Sequence, residues 1–320
     1  MNRRQALILL ALAFALPDAY PQSGKWPDKP VRVVVPFAPG GGTDIVARLL
    51  SVRLSEEFGQ QFVVDNRGGA GGIIGTEIVA KAAPDGYTLC MVSASYSANP
   101  ALYRLSYDPV KGIAPIGLIA AGPLIMVVNP AVKAHSLKEF LALARARPEA
   151  INFGSSGTGS SIHLAFELFR QLTQIPMQHI PYKGTGPALT DLLGGQIQFM
   201  FSSAPAAIPQ IKAGKLRALA VTIEKRARSM PELPAIGEQV PGFQYSSWYG
   251  MWGTAGTPKD TIGRLNQALA QILVRPELQE RLRADGVEPA HSTPDEFTRL
   301  LDREIATWKK VVKAGNIKIE

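Results

Sequence analysis

Three short segments rich in glycine, serine and threonine carry the groups of this chain that are best suited to hold a ligand. They are residues 154–161 (GSSGTGSS), 36–44 (PFAPGGGTD) and 182–187 (YKGTGP). Each follows a strand-like run and precedes a run with helical spacing. The first amides of a helix have no internal partner and lie at the positive end of its dipole, so these turns predict a site for an anion.

The same composition is also typical of helix caps and tight turns, which need no ligand. Three such turns in one chain favour the binding interpretation. Residues 36–44 and 154–161 contain no Lys or Arg, and an isolated buried carboxylate is costly to desolvate. We therefore expect helix ends, amides and hydroxyls, rather than a salt bridge, to compensate a bound anion. Lys183, beside the third turn, is expected to be solvated.

A dinucleotide-binding enzyme is the main catalytic alternative. The strand at 31–37 leads into glycines, and Asp65 ends the next strand near the place of a ribose-binding acid. The glycine fingerprint fails, however, because Ile45 and Ile162 occupy the position of its third glycine. The nucleophile elbow also fails, since Thr158 stands where its second glycine belongs. The sequence therefore predicts no catalytic residue and no cofactor.

The composition also argues against several other kinds of site, namely metal sites, disulfides and nucleic-acid-binding surfaces. The histidines, His135, His163, His179 and His291, lack metal-ligand spacing. Cys90 is the only cysteine and lies in an apolar run, which predicts a core residue without a disulfide. The net charge is +8, but the basic residues are scattered and no nucleic-acid motif is present. Neither a metal site nor nucleic-acid binding is predicted.

Residues 1–23 resemble a secretory signal peptide. Basic MNRRQ precedes the apolar run ALILLALAFAL, and Pro17 and small or polar residues follow up to Ser23. The run is too short to span a bilayer, which needs about 20 residues. Cleavage after Ala19 and after Ser23 both fit, and no cysteine stands there to accept a lipid anchor. We expect a free, exported monomer in a bacterial periplasm.

Strand-like and helical runs alternate along the rest of the chain. Residues 31–93 have a βαβαβ pattern, which is typical of a parallel sheet covered by helices. An apolar stretch at 113–129 is expected to cross to a second unit, and an aromatic stretch at 243–256 to return. The predicted helices with the clearest limits are 45–58, 258–274, 277–285 and 294–313.

This pattern predicts an α/β fold of two lobes, each a mostly parallel sheet covered by helices, with a ligand cleft between them. Lobe one is expected to comprise residues 24–123 plus 247–320, and lobe two residues 124–246. Ligands of open α/β sheets bind outside the carboxyl ends of the strands, so the three turns are expected to face the cleft. Closure about a hinge near 122–126 and 244–250 is expected to trap the ligand.

Four longer stretches resemble the substrate-binding receptors of tripartite tricarboxylate transporters, often called Bug receptors. They are VRVVVPFAPGGGTDIVAR, VVDNRGGAGGIIGTEIVAKAAPDGYTL, INFGSSGTGSSIHLAFELF and IPYKGTGPALTDLLGGQIQFMF, and the resemblance extends from about Trp26 to the C-terminus. It implies a two-lobed periplasmic solute-binding protein that holds a small mono- or dicarboxylate and delivers it to a membrane permease. A receptor that signals to a membrane sensor has the same fold and stays open as an alternative.

The resemblance also implies ligand-binding residues. In the family, the loop matching residues 154–161 takes a carboxylate through amides and hydroxyls, and the loop matching 36–44 closes over it, often through water. Carried over by position, the contacts are Phe37, Gly40, Gly41 and Asp44 in lobe one, and Ser155, Ser156, Gly157, Thr158 and Ser160 in lobe two. Because Asp44 cannot attract a carboxylate, we expect it to cap its own helix or hold water.

Further candidates flank these loops. The segment at 93–100 (SASYSANP) ends the third strand and is expected to face the cleft, with Tyr96 or Asn99 reaching the ligand. Tyr182 is expected to form part of the cleft wall. His163 lies inside the helix that follows the lobe-two loop, and we expect it to pack or cap rather than to contact the ligand.

Overall fold

The computed structural model describes residues 26–314, so the predicted signal peptide lies outside the described residues. The strands are β1 Val31–Val35, β2 Phe62–Asn66, β3 Thr88–Ser93, β4 Ile113–Gly122, β5 Leu124–Val128, β6 Asn152–Ser155, β7 Gln178–Pro181, β8 Phe199–Ser203, β9 Arg217–Val221, β10 Ser247–Thr254 and β11 Glu288–Pro289. The α-helices are α1 Gly42–Phe58, α2 Ile73–Ala80, α3 Ser95–Leu102, α4 Leu137–Ala146, α5 Ser161–Thr173, α6 Thr185–Leu193, α7 Ala204–Lys212, α8 Lys259–Leu273, α9 Pro276–Ala284 and α10 Pro294–Ala314. None of the helices in this range is long and apolar enough to cross a membrane.

The first sheet has six strands in the order β11-β4-β10-β3-β1-β2. The valines of β1 are fully buried, as expected for a strand covered by helices on both faces. β1 pairs in parallel with β2 and with β3, and α1 and α2 supply the helical crossovers that parallel neighbours require. β10 lies antiparallel between β3 and β4, and β11 lies antiparallel to β4.

The second sheet has five strands in the order β7-β6-β8-β5-β9. β5 is buried along its whole length and pairs antiparallel with β8 and β9. β6 pairs in parallel with β7 and β8. Aromatic rings, among them Phe153, Phe166 and Phe199, pack between this sheet and α5. The two helix-covered sheets confirm the predicted two-lobed α/β fold.

Both sheets are mixed, which corrects the prediction of mostly parallel sheets. The reason is the way in which the chain changes lobes. It leaves the first sheet along β4, enters the second along β5 directly after Pro123, and returns along β10. Strands therefore make the crossings, and they join each sheet without the helical connection that would set them parallel to their neighbours.

The distribution of strands follows the expected path of the chain. Strands from 31–122, 247–254 and 288–289 share the first sheet, and those from 124–221 form the second. The boundaries between the lobes at residues 123 and 246 stay our proposal, which this distribution supports. In the described part of the closing helices, α8 and α10 pack on β4 of the first sheet.

Two segments differ from their predicted structure. α1 begins at Gly42 rather than near Ile45, because its first turn is buried against other parts of the protein instead of lying in a solvated loop. The segment at 93–100, expected to be a strand end that faces the cleft, continues into the helix α3. This helix turns Tyr96 toward the core, where its ring packs against Trp252 at 5.5 Å between centroids.

Candidate ligand-binding site between the lobes

Four helices, α1, α5, α6 and α7, begin at one small cavity between the two sheets. The cavity has a volume of about 30 Å³. Among the described residues its lining is Phe37, Gly41, Gly42, Thr43, Ser93, Leu124, Ser156, Ser161, Ile162, Thr185, Ser203, Ser247 and Tyr249. Most of these side chains carry a hydroxyl and none carries a full charge. Because the positive dipole ends of several helices converge here, the cavity is suited to an anion.

The lobe-one wall of the cavity is the first turn of α1. Gly41 is the N-cap in extended backbone conformation, and Gly42 donates its N–H to Ser203 Oγ of lobe two at 3.0 Å. A side chain at Gly42 would collide with the hydroxyls of Ser203 and Tyr249. Burial raises the pKa of the Tyr249 phenol, and the Ser203 hydroxyl offsets part of this effect, so Tyr249 presents a neutral hydroxyl. A ligand oxygen can take the place that Ser203 Oγ occupies at the helix end.

Asp44 shapes this turn from the inside and does not line the cavity. Its carboxylate accepts hydrogen bonds from Gly40 N at 3.0 Å, Asn66 Nδ2 at 2.9 Å and Arg48 Nε at 3.0 Å. Burial acts to raise the pKa of Asp44, but these three donors hold it below its ordinary value. The ionised group also lies in the first turn of α1, where the dipole favours it. This arrangement agrees with the expectation that Asp44 caps its own helix.

The lobe-two wall is the loop at 154–161. Ser155 and Ser160 are fully buried and hold the loop itself. Ser155 Oγ accepts from Gly157 N at 3.1 Å, and Ser160 Oγ caps α5 by accepting from His163 N at 3.3 Å. Ser156 does line the cavity, and Ser161 Oγ, also in the lining, has no hydrogen-bond partner among the described residues. The Ser161 hydroxyl lies beside the Tyr245 hydroxyl at the start of α5, and neither has a hydrogen bond of ordinary geometry among the described residues.

The predicted contact residues of the two loops divide into two groups. The structure brings Phe37, Gly41 and Ser156 together at the cavity. Thr158 lies on another side of the lobe-two loop, where its carbonyl accepts from Tyr103 OH at 2.8 Å. The amide of Gly40 is used by Asp44. A direct role in ligand binding stays a prediction for every residue of both groups.

The structure does not bring the flanking candidates to the cavity. Tyr96 is 1% exposed, and its hydroxyl donates to Pro109 O at 2.8 Å. Asn99 is buried beside Gly71, within lobe one. Tyr182 is half-buried, and its hydroxyl donates to Asp191 Oδ2 at 2.7 Å. The hydroxyls of Tyr96 and Tyr182 thus have partners in the protein, whereas Asn99 Oδ1 has none among the described residues. Ligand contacts of these three residues stay a prediction.

The sequence reasoning missed several hydroxyls of the cavity. Ser203 ends β8 and is the N-cap of α7, and Thr185 begins α6. A signal existed for Ser203, because it occupies the same strand-to-helix position as the three predicted turns, with Pro205 in the first helical turn. Tyr249 has no local signal. It reaches the cavity because β10 pairs with β3 in the register that sets Tyr249 opposite Ser93.

The lobes touch backbone to backbone beside the cavity, and glycines make this possible. Ala38 N donates to Lys183 O across the cleft at 2.9 Å. A Cβ at Gly68 would lie 2.6 Å from Lys183 O, and one at Gly184 would lie 2.7 Å from Ala38 N. A Cβ at Gly186 would overlap Pro39 O. We call this set of contacts the glycine seam, and it joins the two lobes beside the cavity.

The comparisons with known proteins agree with this architecture. A family model described as "Tripartite tricarboxylate transporter family receptor" matches residues 46–317. Protein BugT of Bordetella pertussis is 36% identical over 100% of this chain and 99% of its own.

Two solved structures are similar in sequence and in fold. Rpa4515 of R. palustris with adipate is 38% identical, with a TM-score of 0.88 over 92% of this chain and 99% of its own. MatC from Rhodopseudomonas palustris with bound malate is 32% identical, with a TM-score of 0.85 over 90% of this chain and 100% of its own. Since these likenesses span nearly the whole chain and agree with the motifs of the glycine-rich turns, the chain belongs to the receptor family of the tripartite tricarboxylate transporters.

Proposed function

We propose that this chain is a receptor that captures a small carboxylate between its two lobes and delivers it to the permease of a tripartite tricarboxylate transporter. The observation that supports this most strongly is the convergence of helix N-termini on a cavity whose described lining carries no full charge. Amides and hydroxyls placed in this way stabilise a carboxylate without a salt bridge. The proposal assigns no catalysis to the chain.

The related structures support the class of ligand. Rpa4515 was solved with adipate and MatC with malate, and both of these ligands are dicarboxylates. The hydroxyl-rich lining of the present cavity fits the same chemistry, because hydroxyls and free amides donate to carboxylate oxygens. We therefore propose a mono- or dicarboxylate as the ligand of this chain.

Ligand entry requires the lobes to separate. A cavity of about 30 Å³ holds only about one or two water molecules. We propose that the two crossings near 122–126 and 244–250 bend to open the cleft and that the glycine seam forms again when the ligand is inside. The enclosed carboxylate is then surrounded by fixed donors, where electrostatic interactions are stronger than in water.

The proposed setting is a bacterial periplasm. Removal of residues 1–23 would leave a free, monomeric receptor that meets its ligand outside the cytoplasmic membrane and carries it to the permease. Deletion of the receptor is expected to abolish uptake of its carboxylate. Intact uptake together with lost gene induction would instead favour the membrane-sensor alternative.

A thermal-shift screen of carboxylates on the mature protein tests the binding proposal. Malate and adipate are the first probes, and adipamide, the uncharged diamide of adipate, is the matched control. A carboxylate present at a hundred times its dissociation constant is expected to stabilise the fold by about 2.7 kcal/mol. Stabilisation by NAD and by no carboxylate would favour the dinucleotide-binding alternative.

A further inference from the structure

A second cavity, of about 610 Å³, lies beside the lobe-two loop and is lined by two histidines, His163 of α5 and His179 of β7. Their imidazole rings are stacked, with centroids 4.3 Å apart and planes inclined by 20°. Glu167 and Arg170 are the charged side chains in the described lining of this cavity, and they pair with each other at 2.6 Å. The loop thus has uncharged hydroxyls on its cleft side and a histidine pair beside them.

The first histidine accepts a hydrogen bond from the loop. Gly159 N donates to His163 Nδ1 at 3.1 Å. A backbone N–H can only donate, so Nδ1 must carry a lone pair. The proton of the neutral ring then lies on Nε2, which is 3.7 Å from Glu167 Oε1. Gly159 has a φ of +77°, and a Cβ at this position would lie 2.7 Å from the Tyr103 ring, so another residue would be strained here.

The second histidine is connected to the loop through a serine. Ser155 Oγ accepts from Gly157 N at 3.1 Å and lies 2.6 Å from His179 Nε2. That oxygen accepts from the Gly157 amide, and we assign its own proton to a hydrogen bond donated to Nε2. The proton of the neutral His179 ring then lies on Nδ1. Both histidines therefore present an acceptor toward the loop.

These two hydrogen-bonded connections determine which groups of the loop face the protein interior and which face the ligand cavity. The amides of Gly157 and Gly159 are used inside the protein, while the residue between Ser155 and Gly157, Ser156, lines the ligand cavity. We propose that His163 and His179 are a pair of positioning residues, which as neutral hydrogen-bond acceptors hold the lobe-two loop in its carboxylate-binding form. This inference rests on the proposed function and extends it to groups that do not touch the ligand.

The surroundings of the pair favour the neutral form of both rings. Burial lowers the pKa of His163 against a smaller opposing effect of Glu167, and Arg170 adds to the lowering. Burial and the facing His163 lower the pKa of His179 to about 3. The other ring faces against His179 are the apolar ones of Phe153 and Phe166. Protonation of His163 would set a donor against the Gly159 amide, so carboxylate binding is expected to persist at neutral pH and to weaken at acidic pH.

Two substitutions of His163 distinguish the effect of its hydrogen-bond acceptor from the effect of its ring packing. His163→Phe keeps a stacking ring but removes the acceptor, whereas His163→Asn places a carbonyl oxygen near the position of Nδ1. With malate and adipate as probes in titration calorimetry, His163→Phe is expected to raise the dissociation constant about tenfold, and His163→Asn to restore it to within about threefold of the original protein. His135→Phe, at an exposed histidine that does not line this cavity, is the control and should bind as the original protein does. Equal binding by all three variants would overturn the proposal.

Nitrogen-15 NMR of the histidine-labelled, unsubstituted protein tests the same proposal without any ligand. At pH 6 the expected spectrum shows neutral His163 protonated on Nε2 and neutral His179 protonated on Nδ1. The opposite tautomer of either His163 or His179, or imidazolium signals from either of these two residues at that pH, would overturn the proposal even if carboxylates bind. If neither malate nor adipate binds while the expected tautomers are present, the proposed function fails and the arrangement of the loop stands.

Discussion

The two glycine-rich turns that meet across the cleft are held in shape by opposite means. In the lobe-one turn, the amide of Gly40 donates to the ionised carboxylate of Asp44, which is also paired with Arg48. In the lobe-two turn, the amide of Gly159 donates to the neutral imidazole of His163. In both, an inward side chain holds a glycine amide away from the cleft and leaves the first turn of a helix to face it.

The proposed carboxylate ligand would account for this difference. A bare negative charge beside the site would repel the ligand, and Asp44 is acceptable because Arg48 and Asn66 satisfy it. The lobe-two loop has neutral acceptors, so no compensating cation is needed against it. Lobe one is therefore expected to respond to loss of a charged partner, and lobe two to acidification.

Asp44→Ala is expected to have the largest effect, since it removes the acceptor of the Gly40 amide and one of the two acceptors of Asn66 Nδ2, which keeps only Phe37 O. We expect the free energy of unfolding to fall by about 3 kcal/mol, measured by urea denaturation at pH 7. Glu56→Ala, which breaks the exposed pair with Arg53, is the control and should cost about 0.5 kcal/mol or less. If Asp44→Ala lowers the free energy of unfolding no more than the control does, the Asp44 carboxylate does not stabilise the lobe-one turn.

Gly186→Ala tests the seam where the two turns touch. The new methyl group would overlap Pro39 O in the closed state, so the dissociation constant of the bound carboxylate is expected to rise about tenfold to a hundredfold. Because relief of this overlap requires a backbone shift or separation of the lobes at the seam, the free energy of unfolding is also expected to fall, by about 1–3 kcal/mol. Gly263→Ala, a helical glycine of α8 with open space around it, should raise stability without any change in affinity. If Gly186→Ala binds normally, closure does not depend on the seam.

Ser156→Ala sharpens the assignment of the lobe-two wall. Loss of one donor to a charged ligand costs about 1.5–3 kcal/mol, so binding is expected to weaken about tenfold or more. Thr158→Ala and Lys183→Ala should matter much less, because Thr158 lies away from the cavity and Lys183 is exposed. Titration calorimetry of the three variants measures these differences in affinity. Loss of binding in Lys183→Ala alone would mean that an ion pair holds the ligand.

The smallest expected effect is on the pH dependence of the free energy of unfolding, to which the two turns should contribute in different pH ranges. The folded protein keeps His163 and His179 neutral, while the unfolded chain takes up protons below about pH 6.5. The free energy of unfolding is therefore expected to fall by about 1.2 kcal/mol between pH 7 and pH 5.5 for each of the two histidines that stays neutral. The contribution of Asp44, whose folded pKa is lowered, is retained above its ordinary value of 3.8 and is lost only as the pH falls further. Urea denaturation at both pH values should show a smaller decrease for His163→Asn, and an unchanged decrease would refute the role of this histidine.

Local sequence patterns predicted much of the fold because single strands and helices follow from the types and spacing of residues that are close in sequence. The buried valines of β1 and the apolar spacing of α8 and α10 identify a strand and two helices without any distant contact. The two crossings between the lobes are also visible as long apolar stretches. The mixed order of the strands is not, since pairing such as that of β10 between β3 and β4 depends on parts of the chain that lie far apart in sequence.

The candidate site was only partly predictable for the same reason. The glycine-rich turns mark helix N-termini, but they do not tell which way each side chain points. Ser155 and Asp44 have the residue types of a ligand contact, yet both turn inward and are used by the loops themselves. Tyr249 and Ser203 enter the cavity through sheet register and through a turn without glycine.

A crystal structure of the mature protein with the carboxylate that stabilises it most would test the central claim directly. The claim is that helix N-termini and hydroxyls, rather than a salt bridge, hold the carboxylate. We expect one carboxylate group within hydrogen-bond distance of the Gly42 amide, with Ser203 Oγ displaced from that amide, and with donors from Ser156 or Ser161 on the opposite wall. No Lys or Arg nitrogen should lie within about 4 Å of it. A carboxylate paired with a Lys or Arg side chain, with Ser203 still on the Gly42 amide, would contradict the account.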